Sequence, residues 1–408
     1  MRVLALGGGG AMGAEAVRTA VSLPAVAEIV VADRDYSAAD ALAREMVGAG
    51  VPVRARKVDV TDRQGLYAAF DGADVVLNTV GPYYRFGLTV LRAAIETGTH
   101  YLDICDDWEP TLQMLELDAE ARRAGVCAIV GMGASPGVSN LLAARAAREL
   151  DNVVNVYTAW PVDGPGVGNQ DEENAQLLAP DGQPSAAAVH WMQQISGTVA
   201  VVRDGQIAQE EPLRAVSLSL PGGRSGTAYT VGHPEPVTLR LTLRPSGDSA
   251  NLMVISPGTA AYLDVLRTDI DKGRLTNETA AADLASPSFR RGVRSMVRAA
   301  KFKSPGTLPP FFAAALGIKN GQWYTALARL AEGTGLASLT SDMARATGIP
   351  LALGLSQIVD GTAVRAGVHP PDAVVDPDRF FHDLAVTVNG DGSDTGVVVE
   401  LEQADGAP

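Results

Sequence analysis

Short apolar runs alternate with amphipathic stretches along the first 135 residues in a steady rhythm. The runs RVLAL, EIVVA, VRARKVDV, DVVLNTV, HYLDI and VCAIVGM have the length of strands. Between them AEAVRTAVSL, SAADALAREMV, RQGLYAAF, GLTVLRAAIETG and TLQMLELDAEARRAG place apolar residues at helical intervals. Six strands separated by helices imply βαβ units, and right-handed crossovers then give a parallel, doubly wound sheet. The pattern predicts an N-terminal Rossmann domain over residues 1–137.

Past GASPGVSN the texture changes. A helix, LLAARAAREL, leads into the run VVNVYTAW, and a helical stretch SAAAVHWMQQI precedes the extended runs TVAVVRDG, LRAVSLSL, TAYTVG, VTLRLTL and NLMVIS. Strands without long helices between them predict a second α/β (α+β) domain over 138–345, with a mixed, largely antiparallel sheet. From Thr259 onward the pattern reads as mainly helical, including WYTALARLA, and FHDLAVTVNGDGSDTGVVVELEQ reads as a terminal hairpin turning at Gly390 to Gly392.

The junction of the first strand and first helix carries LGGGGAMG. Gly8, Gly10 and Gly13 fit GxGxxG: the first for a tight turn, the second for close approach of a pyrophosphate, the third for helix–strand packing. Ala11 and Met12 then open the helix, whose amides and positive dipole end suit phosphate. Asp33 ends the second strand 20 residues beyond Gly13, where a carboxylate accepts the hydroxyls of an adenosine ribose. It favours NAD over NADP, although Arg34 beside it could pair with a 2′-phosphate. Asp59 reads as an adenine contact or a helix N-cap, and Val80, Gly81 and Pro82 sit where such a sheet opens its cofactor crevice.

Length and composition narrow the rest. The 408 residues exceed one ordinary core, with 46% hydrophobic and 20% charged residues. A net charge of −14 disfavours nucleic acid as a partner. No apolar run approaches the roughly 20 residues that span a bilayer, so no membrane partner is expected and a cytoplasmic location is. The two cysteines, Cys105 and Cys127, form no CxxC pair, and no metal-ligand spacing, HExxH, GxSxG or P-loop occurs.

The fingerprint LGGGGAMG, the run NTVGPYYRFG, the pair YLDICDDWEP and GMGASPGVSN, and the late run MARATGIPLALGLSQIVDGTAVRAGVHPPDAV together resemble the saccharopine dehydrogenase (reductase) and lysine 6-dehydrogenase-like family. The resemblance implies an NAD- or NADP-dependent oxidoreductase acting on the C–N bond of an amino acid, opine or imine. It further implies a homodimer whose second domain holds the substrate, and a C-terminal segment, 346–408, returning toward the Rossmann domain. Ser135-Pro136-Gly137 stands where amino-acid-binding relatives carry Asp-Pro-Gly, so a carboxylate near the substrate amine is missing. An enoyl reductase and a non-catalytic dinucleotide-binding module remain as alternatives.

Hydride transfer needs a nicotinamide held against the substrate carbon and one group to manage a proton. At the end of the fifth strand lie Asp103, Cys105, Asp106 and Asp107, then Trp108 and Glu109. Asp106 and Asp107 could hold a cationic amine or cap the next helix. Cys105 could line the nicotinamide pocket or sit in the core. Tyr83, with Tyr84, could orient substrate. His190 and His233 are two of five histidines, a residue type suited to proton transfer, with Glu235 as an amine ligand. The loop 168–176, with Asp171, Glu172 and Glu173, reads as a solvated loop or an acidic lip.

Overall fold

The computed structural model describes residues 1–162, 177–178, 182–331, 339, 342–390, 396–404 and 406; the acidic loop 168–176 lies outside them. The chain forms two compact units, Met1–Arg145 with Leu330–Val398, and Ala146–Arg329 with Val399–Pro408. The unit limits thus fall after 145 and 329, where the pattern of the sequence had suggested 137 and 345.

The first unit begins with β1 (Arg2–Leu6), α1 (Ala11–Ala20), β2 (Glu28–Asp33), α2 (Tyr36–Glu45), β3 (Val53–Lys57), α3 (Arg63–Phe70), β4 (Val75–Asn78), α4 (Tyr83–Thr97), β5 (His100–Asp103), α5 (Trp108–Leu115), α6 (Asp118–Ala124), β6 (Cys127–Ile129) and α7 (Val138–Ala147). Asp35 and Asp62 cap α2 and α3 by accepting first-turn amides. The strands pair in parallel in the order β6-β5-β4-β1-β2-β3. β4 is buried along its whole length because helices cover both faces, which is why it reads as an unbroken apolar run.

The second unit contains β7 (Asn152–Pro161), α8 (Ala186–Gln194), β8 (Val199–Arg203), β9 (Gln206–Glu210), β10 (Ala215–Leu220), β11 (Arg224–Thr230), α9 (Glu235–Thr242), β12 (Ser249–Val254), α10 (Pro257–Asp271), α11 (Asn277–Ala285), α12 (Phe289–Arg298), β13 (Phe312–Lys319) and β14 (Gln322–Leu330). Its sheet runs β10-β11-β12-β7-β13-β14 and onward to a last strand, with β8 pairing β12 and β9. All these pairings except β12 with β7 are antiparallel where their registers are defined. Two expectations fail here: VTLRLTL is helix α9, not a strand, and WYTALARLA belongs to β14, not a helix. α12 is amphipathic with its charged side inward. Asp269, buried, receives Arg291 at 3.0 Å, Arg294 at 2.7 Å and Arg274 at 3.3 Å, while Arg298 meets Asp264 and Arg291 meets Asp283.

The chain then returns to the first unit through α13 (Met343–Val359), β15 (Gly367–His369) and α14 (Pro377–Asn389), and ends in β16 (Val397–Gln403), the last strand of the mixed sheet. β15 pairs in parallel with β6 and makes the sheet seven-stranded. α13 crosses α1 at Gly348, where any Cβ would strike the Met12 carbonyl and the Glu15 side chain. The expected terminal hairpin is instead helix α14 followed by β16, with Gly390 as the helix's left-handed C-cap. Among the described residues no helix is long and apolar enough to cross a membrane.

Candidate functional site: a dinucleotide cradle and a buried histidine cluster

The glycine run is shaped by two different demands. Gly7 takes φ +74, so the tight turn falls on Gly7, one residue earlier than the motif suggests. Its amide donates to Ala32 O, and Gly10 N closes the turn on Gly7 O at 3.0 Å. A Cβ on Gly8 would lie 2.9 Å from Ala5 O and one on Gly13 2.5 Å from Gly7 O, so packing alone requires glycine at both. Gly9 is held against α2, and its amide donates to Asp33 Oδ2 at 3.1 Å.

Gly10 differs: it is exposed, has ordinary extended dihedrals, and a Cβ there would meet only Gly7 O at 3.3 Å. Gly81 has no neighbour within 4 Å of its Cβ position. Among the described residues nothing demands glycine at these two positions, and at Gly10 the open space lies at the start of α1. Gly10 is also the N-cap of α1 and, lacking a side chain, leaves the first-turn amides of Ala11, Met12 and Gly13 to an outside acceptor. The residues therefore fit a dinucleotide. Asp33 carries its carboxylate at the rim of the turn, with Oδ1 accepting from Asp35 N. Arg34 and Asp59 are exposed near it, and Asp59 is held below its ordinary carboxylate range by bonds from Thr61. The helix cap that Asp59 might have made is made by Asp62.

The carboxyl ends of β4, β5 and β6 are joined by a buried polar network. Thr79 bonds Leu6 O and presses on the glycine turn, and Asn78 Oδ1 accepts Val80 N, fixing the start of the Val80–Pro82 loop. Asn78 Nδ2 reaches Tyr101 OH, which donates to Asp103 at 2.7 Å. Asp103 also accepts Cys105 N and Gly131 N, yet burial outweighs these bonds and pushes its carboxyl up to about 6. Tyr83, expected to orient substrate, is a core residue whose hydroxyl donates to Asn78 O at 2.8 Å; burial drives its pKa far up. Cys105 is likewise buried, and Tyr84 faces solvent. Asp107 stands at the N-cap of α5 but makes no capping bond, and Asp106 is half-buried beside it. The simple capping reading of Asp107 fails.

In the second unit His190 and His233 are drawn to one region. Gly232 N donates to Gln194 O at the end of α8, and Gln194 Nε2 is 2.9 Å from His190 Nε2. His233 is buried, stacked on Trp160 at 5.4 Å, with Nδ1 3.5 Å from the fully buried Glu235. Trp191 lies 6.5 Å from Trp160.

The domain model for the saccharopine dehydrogenase NADP-binding domain matches residues 3–129. That segment holds the whole cradle. The apo saccharopine dehydrogenase (L-Glu forming) from Saccharomyces cerevisiae is similar in fold, with 99% of both chains covered, 17% identity and a TM-score of 0.64. GenD2 from gentamicin A biosynthesis, solved in complex with NAD, covers 100% of this chain and 97% of its own at 15% identity and a TM-score of 0.38. A short-chain dehydrogenase/reductase from Mycobacterium ulcerans covers 32% of this chain and 65% of its own at 15% identity and a TM-score of 0.28.

The fold gathers Gly8, Gly10, Ala11, Met12, Gly13, Asp33, Val80, Gly81 and Pro82 at the carboxyl edge of β1, β2 and β4. Gly7 and Gly9 read from the sequence only as accessory positions of the run, and Asn78 and Thr79 are not singled out by it. Glycine doublets hide which member carries the turn, and Asn78 and Thr79 gain meaning only through strand pairing. Trp160 and Asn251 were also missed, since only the sheet register sets them beside Glu235 and His233.

Proposed function

We propose that the protein transfers a hydride between a nicotinamide dinucleotide and the carbon of a C–N bond in an amino acid, opine or imine. The observation that carries the reading is the glycine turn at which the protein itself has no use for Gly10 but a pyrophosphate does, beside the carboxylate of Asp33. When bound, the cofactor supplies the hydride acceptor or donor. Gly10 and the first-turn amides of α1 hold its phosphates, and Asp33 takes the adenosine ribose, which favours NAD over NADP. Asp106 and Asp107 hold the cationic amine. His233, with His190 near it, manages the proton that leaves or joins the nitrogen. The reading includes a cytoplasmic homodimer.

A panel of keto acids paired with amines, followed by loss of NADH absorbance, tests it. Turnover with at least one pair is expected; cofactor binding without turnover on any pair defeats the reading, and turnover confined to carbon–carbon double bonds replaces it with an enoyl reductase.

A further inference from the structure

Three fully buried side chains join the ends of β4 and β5 in a single directed chain of hydrogen bonds. Val80 N donates to Asn78 Oδ1 at 3.1 Å, Asn78 Nδ2 to the Tyr101 oxygen at 3.0 Å, and Tyr101 OH to Asp103 Oδ2 at 2.7 Å. Asn78 and Asp103 are register partners, and Tyr101 shares a face of β5 with Asp103. The direction is fixed at both ends. A backbone amide can only donate, so Val80 holds Oδ1 of Asn78 and turns Nδ2 toward Tyr101. Asp103 Oδ1 takes Cys105 N at 3.0 Å and Gly131 N at 2.7 Å, which leaves Oδ2 for the phenol. Burial, then the nearby Asp103, drives Tyr101 far above its ordinary range, so it keeps the hydrogen it donates.

Three donors converge on this carboxyl group, the pattern of an ionised acid. A proton added to it would sit on Oδ2 and point at the Tyr101 oxygen, sending the phenol hydrogen toward Asn78. Asn78 accepts that hydrogen only by exchanging its amide ends, which sets its NH2 against the Val80 N–H, donor against donor. The charge of one side chain is thus felt, three hydrogen bonds away, at the first residue of the Val80–Pro82 loop. We propose that Asp103 is a positioning residue for the dinucleotide: its charge, relayed by Tyr101 and Asn78, holds that loop in the form that receives the cofactor. The proposal rests on the reading of this loop as part of the cofactor crevice. The titratable groups facing Asp103 are Tyr101 on its own strand, Tyr83 on α4, and Cys105 and Asp106 just beyond β5. None is a cation, so burial prevails over the hydrogen bonds and pushes the carboxyl up to about 6.

The test is the affinity of the full-length chain for oxidised NAD, measured by calorimetry across the pH range of the Asp103 titration. NADP is avoided because its 2′-phosphate itself titrates at about 6. Wild-type affinity should rise about fivefold as Asp103 ionises, the worth of one hydrogen bond. In Asp103→Asn the side-chain oxygen keeps the Cys105 and Gly131 amides while its NH2 faces Tyr101 as the protonated acid would, so affinity should stay at the low value at every pH. Tyr101→Phe cuts the relay and should also abolish the step, which keeps the comparison open if Asp103→Asn does not fold. In the cofactor-free chain, exchange of the Val80 amide should quicken about fivefold in either variant, while amides of β2 keep their wild-type rates. A flat wild-type profile, or a step that persists in a folded Asp103→Asn or Tyr101→Phe protein, overturns the proposal. Absence of NAD binding at any pH defeats instead the reading of the crevice as an NAD site; unchanged Val80 exchange in the variants then overturns the relay on its own.

Discussion

Two glycines of the same motif should fail in opposite ways when given a methyl group. In Gly13→Ala the new Cβ would lie 2.5 Å from Gly7 O and 2.8 Å from Gly8 Cα and Thr79 Oγ1. Two of those atoms are backbone, so the turn and α1 must move apart, and overpacking of this kind costs about 1–3 kcal/mol. For a unit of this size that is a fall in Tm of roughly 2–10 °C. In Gly10→Ala the dihedrals are φ −76 and ψ 162, open to any residue, and the nearest atom is 3.3 Å away. The gain from restricting the unfolded chain, about 0.4–1 kcal/mol, is comparable with the roughly 0.5–1 kcal/mol lost when alanine replaces glycine at an N-cap. Tm should therefore stay within about 2 °C. The methyl instead enters the path of the phosphates, and NADH affinity should drop at least about tenfold, equivalent to about 1.4 kcal/mol. Thermal unfolding of both variants with NADH titration by fluorescence separates the two effects. Wild-type NADH affinity in Gly10→Ala would refute the assignment of that space to the cofactor; an unchanged Tm in Gly13→Ala would refute the packing argument.

Other expectations follow from the charged residues. Asp33→Ala should move cofactor preference toward NADP by at least about tenfold in kcat/KM, since it removes a carboxylate that repels a 2′-phosphate; an unchanged ratio would remove Asp33 from cofactor choice. Asp103 titrates near 6 in the folded chain and lower when unfolded, so the folded state binds the extra proton. Wild-type stability should thus gain on Asp103→Asn as pH falls from about 6.5 to 4, by an amount on the order of 3 kcal/mol, and parallel unfolding curves at both pH values would contradict it. Asp269→Asn leaves Arg274, Arg291 and Arg294 without their shared carboxylate and should destabilise by roughly 2–4 kcal/mol. Because these guanidiniums hold Asp269 well below the ordinary carboxylate range, its contribution is present above the unfolded pKa near 4 and lost as pH falls through the folded value, which urea unfolding at two pH values reads directly.

How much could be read in advance depended on which force set each element. The central strands β1 and β4 were legible because nearly all their residues are buried, and the crossover helices separate the parallel strands cleanly. Residues 322–330 misled because Ala, Leu and Arg favour helix, yet Asn320 and Gly321 at φ 51 and +76 form the tight turn that folds β14 back on β13. Asn-Gly was the stronger signal. VTLRLTL looked like a strand from its β-branched residues, but Pro236 sits in the first turn of α9 and Thr238 and Thr242 bond back to carbonyls in or just before the helix. In α14 the cap Asp376 and the following Pro377 announce a helix start, and Phe380, Phe381, Leu384 and Ala385 form its buried face. The cradle was legible because its motif is local in sequence. The grouping of Trp160 and Asn251 with Glu235 was not, because they meet only through strand register.

The seventh strand gives the chain a timetable. β15 must pair with β6, but 238 residues separate Ile129 from Gly367, and α13, which covers α1, is also made late. At synthesis rates of about 5–20 residues per second, the edge of β6 emerges roughly 10–50 s before its partner. For that interval the nucleotide domain presents an open parallel edge and an uncovered helix, so its completion waits until the whole of the second sheet's β7–β14 stretch has been synthesised.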